Sequence, residues 1–346
     1  MACKRKTTLK QRMADGFRNA GERAAIATRR RALLKRVVGH LWTVAPVMLS
    51  LRSSLSKPKS RLFRTVLNDS SVGSVCLTGL LSELPESETI VLIVHGLSGN
   101  AMSPYCATAA QAAARAGFSS LRISLRGADY SGEDILHGGI TQDVWAALAA
   151  PAIRRYRRVF VLGYSVGGHI ALRAAVERVD PRLRAVAAIC PPLDLHQATV
   201  AFDQPSRKAY RLHIFRGLNK AYAATAARGR VHVPPSVVAR AGSCRARDAL
   251  TVVPRFGFRD VEDYYERESV ASRLRNLDIP SLAVLGRHDP LVPPETVLPA
   301  IDGASRALTI KWVEPGGHVY FPKGLDLGQS SLLGLEDQVL DWLADQ

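Results

Sequence analysis

The chain offers little to disulfide or metal chemistry. Its 346 residues hold five cysteines, Cys3, Cys76, Cys106, Cys190 and Cys244, odd in number, widely spaced and never in a C-x-x-C pair. That pattern argues against a disulfide framework and a zinc site, and suits reduced thiols in a cytoplasmic protein. A phosphate cradle is missing too, because the Gly96–Gly99 loop is not followed by Lys-Ser/Thr. A membrane span needs about 17–25 apolar residues. The uncharged stretch Val37 to Leu51 offers fifteen, interrupted by His40 and Pro46. Acidic residues are nearly absent from one region only: residues 1–64 carry Asp15 and Glu22 against 17 Lys and Arg. The remainder, 65–346, holds 30 basic and 28 acidic residues, so the high pI describes an arm and not a body.

The expected organisation is therefore a basic N-terminal arm, 1–64, ahead of a near-neutral domain, 65–346. Three readings fit the arm. Its apolar segment 37–51, with Trp42 and basic flanks, suits an interfacial helix on an anionic membrane. Arg30-Arg31 before an apolar stretch has the look of a twin-arginine export signal, and the Arg-rich, acid-poor composition suits organelle targeting. A solvated tail is the plain reading. A basic arm calls for an acidic partner, a phospholipid surface, nucleic acid or a targeting receptor, of which nucleic acid is the least expected.

Within the body, short apolar runs alternate with Ala-rich helical stretches, which predicts a mainly parallel sheet with helices on both faces. Strands are expected at Thr89–Val94, Ser119–Leu125, Val159–Leu162, Leu183–Cys190, Ser281–Leu285 and Ala307–Val313. The rhythm fails between about 193 and 270, where mixed polarity and Pro234-Pro235 suggest a helical insertion lying over the sheet as a lid.

One stretch carries chemistry. Val159 to Ile170 reads strand, tight turn, helix, with Gly163-Tyr164-Ser165-Val166-Gly167 at the turn. Glycines flank the serine because side chains there would collide as the backbone reverses. A serine on such an elbow presents its hydroxyl as a nucleophile. Asp289 and His318 follow later strands, and in a parallel sheet such strand ends share one edge. His318 would take the serine proton, Asp289 would orient the imidazole, and the backbone N–H groups of Val166 and Leu97 would hold the oxyanion. Asp194 also follows a strand and is the rival acid. His95 is expected to be structural in the oxyanion loop. His40, His137, His169, His196, His213, His232 and His288 are assigned no role.

Across residues 70–345 the chain resembles the α/β-hydrolase superfamily, in its YheT-like and abhydrolase-domain esterase branch. The resemblance rests on HGLSGN at His95–Asn100, LRGADYSGEDILHGG at Leu125–Gly139, GYSVGGH at Gly163–His169 and FGFRDVEDYY at Phe256–Tyr265. It extends to IPSLAVLGRHDPLVP at Ile279–Pro293 and EPGGHVYFP at Glu314–Pro322. It implies a hydrolase without cofactor or metal, acting on short- to medium-chain acyl esters or acylglycerol-type lipids, with acyl transfer to alcohols in some relatives. The family often has paired aspartates where this chain has His288-Asp289, which leaves His288 without an assignment. The arm lies outside the resemblance.

Overall fold

The computed structural model describes residues 35, 37–44, 59–330 and 334–346. Most of the basic arm, including Arg29-Arg30-Arg31 and the second half of the 37–51 segment, lies outside the described residues. No described helix is long and apolar enough to cross a membrane.

Runs such as TIVLIV and SLAVLG lack polar alternation, which suits strands covered on both faces. Every residue of β3 (Thr89–Val94) and β7 (Ser281–Gly286) is buried. Successive side chains of a strand point to opposite faces, and β3 divides accordingly. Leu92 and Val94 join one apolar cluster with Val144, Ile170 and Leu172. Val91 and Ile93 join the other, with Ala109, Ala113 and Leu340. Ala109, Ala110, Ala112 and Ala113 of the helix Pro104–Arg115 are buried, and their small side chains let it lie close on the sheet.

Among the described residues, eight strands form one sheet in the order β1-β2-β4-β3-β5-β6-β7-β8. From β4 (Ser119–Ser124) through β3, β5 (Arg158–Tyr164), β6 (Leu183–Ile189), β7 and β8 (Leu308–Val313) all pairs are parallel. β1 (Arg61–Asp69) and β2 (Gly73–Ser82) form an antiparallel hairpin joined to β4. The expected boundary at 64/65 thus falls inside β1. Arg61 and Arg64 are exposed on this edge strand, so a charge count groups them with the arm, while Phe63 between them is buried in the core.

β4 and β5 flank β3 on opposite sides. The chain therefore reverses its direction of travel across the sheet there, leaving a crevice beyond the strand ends. Between β6 and β7 the chain forms six α-helices, from Leu195–Phe202 to Val261–Glu268. This region is where the alternation of strand and helix lapsed in the sequence. Arg255 ties it to the body through Asp134 at 2.6 Å and Asp69 at 3.0 Å.

Candidate active site

β5 ends at Tyr164, and the helix Val166–Glu177 begins one residue after Ser165. Ser165 has φ 53° and ψ −121°, a backbone region that costs a non-glycine residue of order 1–3 kcal/mol. The neighbours enforce the turn. A Cβ on Gly163 would lie 2.1 Å from the Gly167 carbonyl oxygen, and one on Gly167 would lie 2.4 Å from that of Val94. Ser165 N–H donates to the Ile189 carbonyl at 2.7 Å, so the elbow is pinned to β6.

Asp289 follows β7, and both of its carboxylate oxygens are occupied. Oδ1 accepts from the N–H groups of Leu291 (2.8 Å) and Val292 (3.0 Å), while Oδ2 faces His318 Nδ1 at 2.8 Å. Both residues are buried. With Nδ1 donating to the carboxylate, the neutral imidazole carries its free lone pair on Nε2. Asp194, the rival acid, instead caps the helix Leu195–Phe202 by accepting from Gln197 N–H at 3.0 Å.

The loop after β3 lies against the elbow: a Cβ on Gly96 would come 3.2 Å from that of Ser165. His95 holds the loop from behind. Its Nε2 accepts from Leu125 N–H at 3.1 Å and its Nδ1 donates to the Gly96 carbonyl at 2.8 Å. Burial pulls its pKa down to about 4, which keeps the ring neutral in the one tautomer that satisfies both bonds. Among the described residues, the N–H groups of Leu97 and Val166 have no backbone acceptor. Beside them opens a cavity of about 130 Å³, whose walls include Leu195, Leu218 and Tyr222 of the helices between β6 and β7.

Two site neighbours were not legible as such. Cys190, the residue after β6, brings its Sγ within 4.8 Å of ligand-type atoms of Asp289 and His318. Burial and the Asp289 carboxylate push its thiol pKa well up. Asp289 Oδ2 and His318 Nδ1, the atoms these two residues would offer a metal, are already bonded to each other. Cys190 is the last residue of the expected strand Leu183–Cys190, and that place at a strand end was the available signal. The second neighbour, Thr43, accepts a hydrogen bond from His318 N–H at 2.8 Å. Of the histidines given no role, His137 and His169 are buried, and His169 meets the carbonyls of Pro192 and Glu268. His288 faces Glu314 at 3.3 Å.

The profile of the alpha/beta hydrolase fold family matches residues 89–324. The chain is 27% identical over 267 residues to the Escherichia coli (strain K12) protein YheT, an esterase by name, covering 73% of this chain and 76% of that one. It is 24% identical to the Saccharomyces cerevisiae medium-chain fatty acid ethyl ester synthase/esterase 2, over 70% of this chain and 60% of the relative. Yeast monoacylglycerol lipase is 21% identical, with 68% and 55% covered, so the chain spans little more than half the length of these yeast relatives. Among solved structures, 2,6-dihydroxy-pseudo-oxynicotine hydrolase superposes with a TM-score of 0.54 at 18% identity, covering 86% of this chain and 71% of that one. Mouse alpha/beta hydrolase domain-containing protein 10 gives 0.50 at 15% identity, covering 82% and 98%. The relatives support ester hydrolysis as the broad class of chemistry, and the matched profile, spanning every parallel strand, places the chain in the α/β-hydrolase family.

Proposed function

We propose that the chain is a serine carboxylic ester hydrolase that works through an acyl-enzyme. The observation that carries this reading is the 2.8 Å contact between His318 Nδ1 and Asp289 Oδ2, at the same sheet edge as the strained Ser165. Ser165 Oγ attacks the ester carbonyl carbon as His318 Nε2 takes its proton. The oxyanion that forms is held by the N–H groups of Leu97 and Val166. Collapse breaks the acyl–oxygen bond, and His318 returns the proton to the leaving alcohol. Water, deprotonated by the same imidazole, then releases the acid and regenerates Ser165. Asp289 orients the ring and balances the imidazolium charge at each stage.

The cavity beside the oxyanion donors supports an acyl chain of modest length. An apolar cavity of about 150 Å³ accommodates a benzene ring. The space here, about 130 Å³, is of that order and suits a short acyl chain, while the relatives support the wider proposal of short- to medium-chain acyl esters or monoacylglycerol-type lipids as substrates. The helices between β6 and β7 serve as the lid that shapes this pocket. Acyl transfer to an alcohol is the second reading, favoured by the likeness to a yeast ethyl ester synthase/esterase. Product ratios in water with added ethanol decide between the two.

Replacing Ser165 by Ala is expected to lower p-nitrophenyl butyrate hydrolysis by about six orders of magnitude while the fold survives. Fluorophosphonate labelling should vanish with it. A Ser165→Ala protein that hydrolyses the ester normally refutes the assignment. For the arm we propose attachment to anionic membranes. Co-sedimentation with phosphatidylserine vesicles should weaken as salt rises. Binding that ignores salt overturns this role.

A further inference from the structure

The segment ahead of the sheet reaches the catalytic dyad directly. Residues 37–44 are helical and lie across both loops that carry the proposed acid and base. Two glycines make this possible. A Cβ on Gly39 would lie 2.1 Å from the carbonyl oxygen of His288, the residue before Asp289. A Cβ on Gly317, the residue before His318, would lie 2.4 Å from Thr43 Oγ1 and 2.5 Å from the Gly39 carbonyl oxygen. Helix and loops therefore meet backbone to backbone. Outer contacts hold the helix in place: Lys35 Nζ pairs with Glu314 at 3.0 Å, and His40 Nδ1 lies 2.8 Å from the Tyr210 hydroxyl.

At the centre of this contact is Thr43, only 8% exposed. Its hydroxyl donates to the Gly39 carbonyl at 2.8 Å, a bond within its own helix. The proton is thereby committed, and the oxygen lone pairs face outward to accept the His318 main-chain N–H at 2.8 Å. The loop needs such an anchor. Val319, the next residue, has φ 59°, a left-handed conformation that is an outlier for a β-branched side chain. Strain of this kind persists only where the surroundings over-determine the backbone.

We propose that Thr43 is a positioning residue for the reaction: it fixes the main chain of His318 so that Nδ1 stays on Asp289 and Nε2 is left free to take the Ser165 proton. The segment preceding the hydrolase sheet is then part of the working active site. This inference rests on the esterase reading above. A positioning residue that touches no substrate acts on the proton-transfer step and leaves ground-state binding alone.

The test uses the full chain with Thr43→Val, Thr43→Ser and Gly39→Ala, assayed for p-nitrophenyl butyrate hydrolysis and for the rate of fluorophosphonate labelling. Thr43→Val removes the acceptor and leaves a buried N–H unpaired. It is expected to lower kcat and the labelling rate about tenfold with KM unchanged. Thr43→Ser keeps the oxygen and restores both. Gly39→Ala leaves Thr43 intact but pushes the helix off His288, and kcat should fall likewise. Wild-type kcat in either Thr43→Val or Gly39→Ala overturns the proposal. So does a kcat loss in Thr43→Ser equal to that of Thr43→Val, which marks Thr43 as packing only. An unreactive wild-type chain instead refutes the esterase reading beneath it.

Discussion

Replacing Asp289 by Asn tests the proposed dyad with the smallest change of shape. In the native site Oδ1 receives two backbone N–H groups and Oδ2 receives His318 Nδ1. An amide has one acceptor end and one donor end. Its oxygen must turn to Leu291 and Val292, because an NH2 there would oppose two fixed donors. The NH2 then faces His318, so Nδ1 must accept and the ring proton moves to Nε2. In that tautomer the ring has no lone pair for the Ser165 proton. The lost charge adds to this. A carboxylate and an imidazolium with centres about 4 Å apart attract by about 4 kcal/mol at an effective dielectric of 20. Reversing the tautomer costs a further hydrogen bond, about 1 kcal/mol or somewhat more. Together these give about 5 kcal/mol, so kcat should fall by about four orders of magnitude. Folding should change by no more than about 1 kcal/mol, since the amide still accepts both backbone bonds. Hydrolysis of p-nitrophenyl butyrate together with a thermal melt measures both quantities. A well-folded Asp289→Asn protein within tenfold of wild-type kcat refutes the reasoning.

His95 and Gly167 allow two further tests. His95 titrates near pH 4 when folded and near 6.5 when unfolded. The unfolded chain therefore binds a proton in that interval that the folded chain does not, and its stabilising contribution, complete above pH 6.5, is lost as pH falls towards 4. The difference amounts to about 3 kcal/mol for this one group. Urea unfolding of wild type and His95→Gln should thus converge by about that amount between pH 7 and pH 4, and a constant gap contradicts the assigned burial effect. Gly167→Ala places a Cβ 2.4 Å and 2.5 Å from the carbonyl oxygens of Val94 and His95, both fixed backbone. A loss of about 3 kcal/mol and a displaced Val166 N–H are expected, and an unchanged urea midpoint with full activity argues against the close approach.

Much of the scaffold was legible because its signals are local. Buried parallel strands are apolar throughout, so β3 was readable residue for residue, and β5 through β8 to within a few positions. The hairpin β1–β2 was harder. The edge strand β1 mostly alternates exposed with half-buried residues, β2 alternates half-buried with buried ones, and Arg61 and Arg64 merge with the basic arm in any composition window. The candidate nucleophile was readable from Gly163 and Gly167, since the tight elbow dictates residue type over five positions. Asp289 and His318 were readable as residues following strands. Their separation in space was not, because 29 positions of chain lie between them and only the sheet's parallel packing closes that gap.

Sequence by itself therefore determined the strand–helix alternation, the elbow and the residue types of the proposed triad, all of which depend on neighbours a few positions away. Tertiary structure decided what distant segments do to one another. It paired Asp289 with His318, turned Asp194 into a helix cap, and set Cys190 beside the dyad. It also seated Thr43 on the backbone of His318, across 275 positions. No local pattern could announce that contact, because a threonine in an apolar stretch has no partner until the chain folds back and two glycines let the backbones meet.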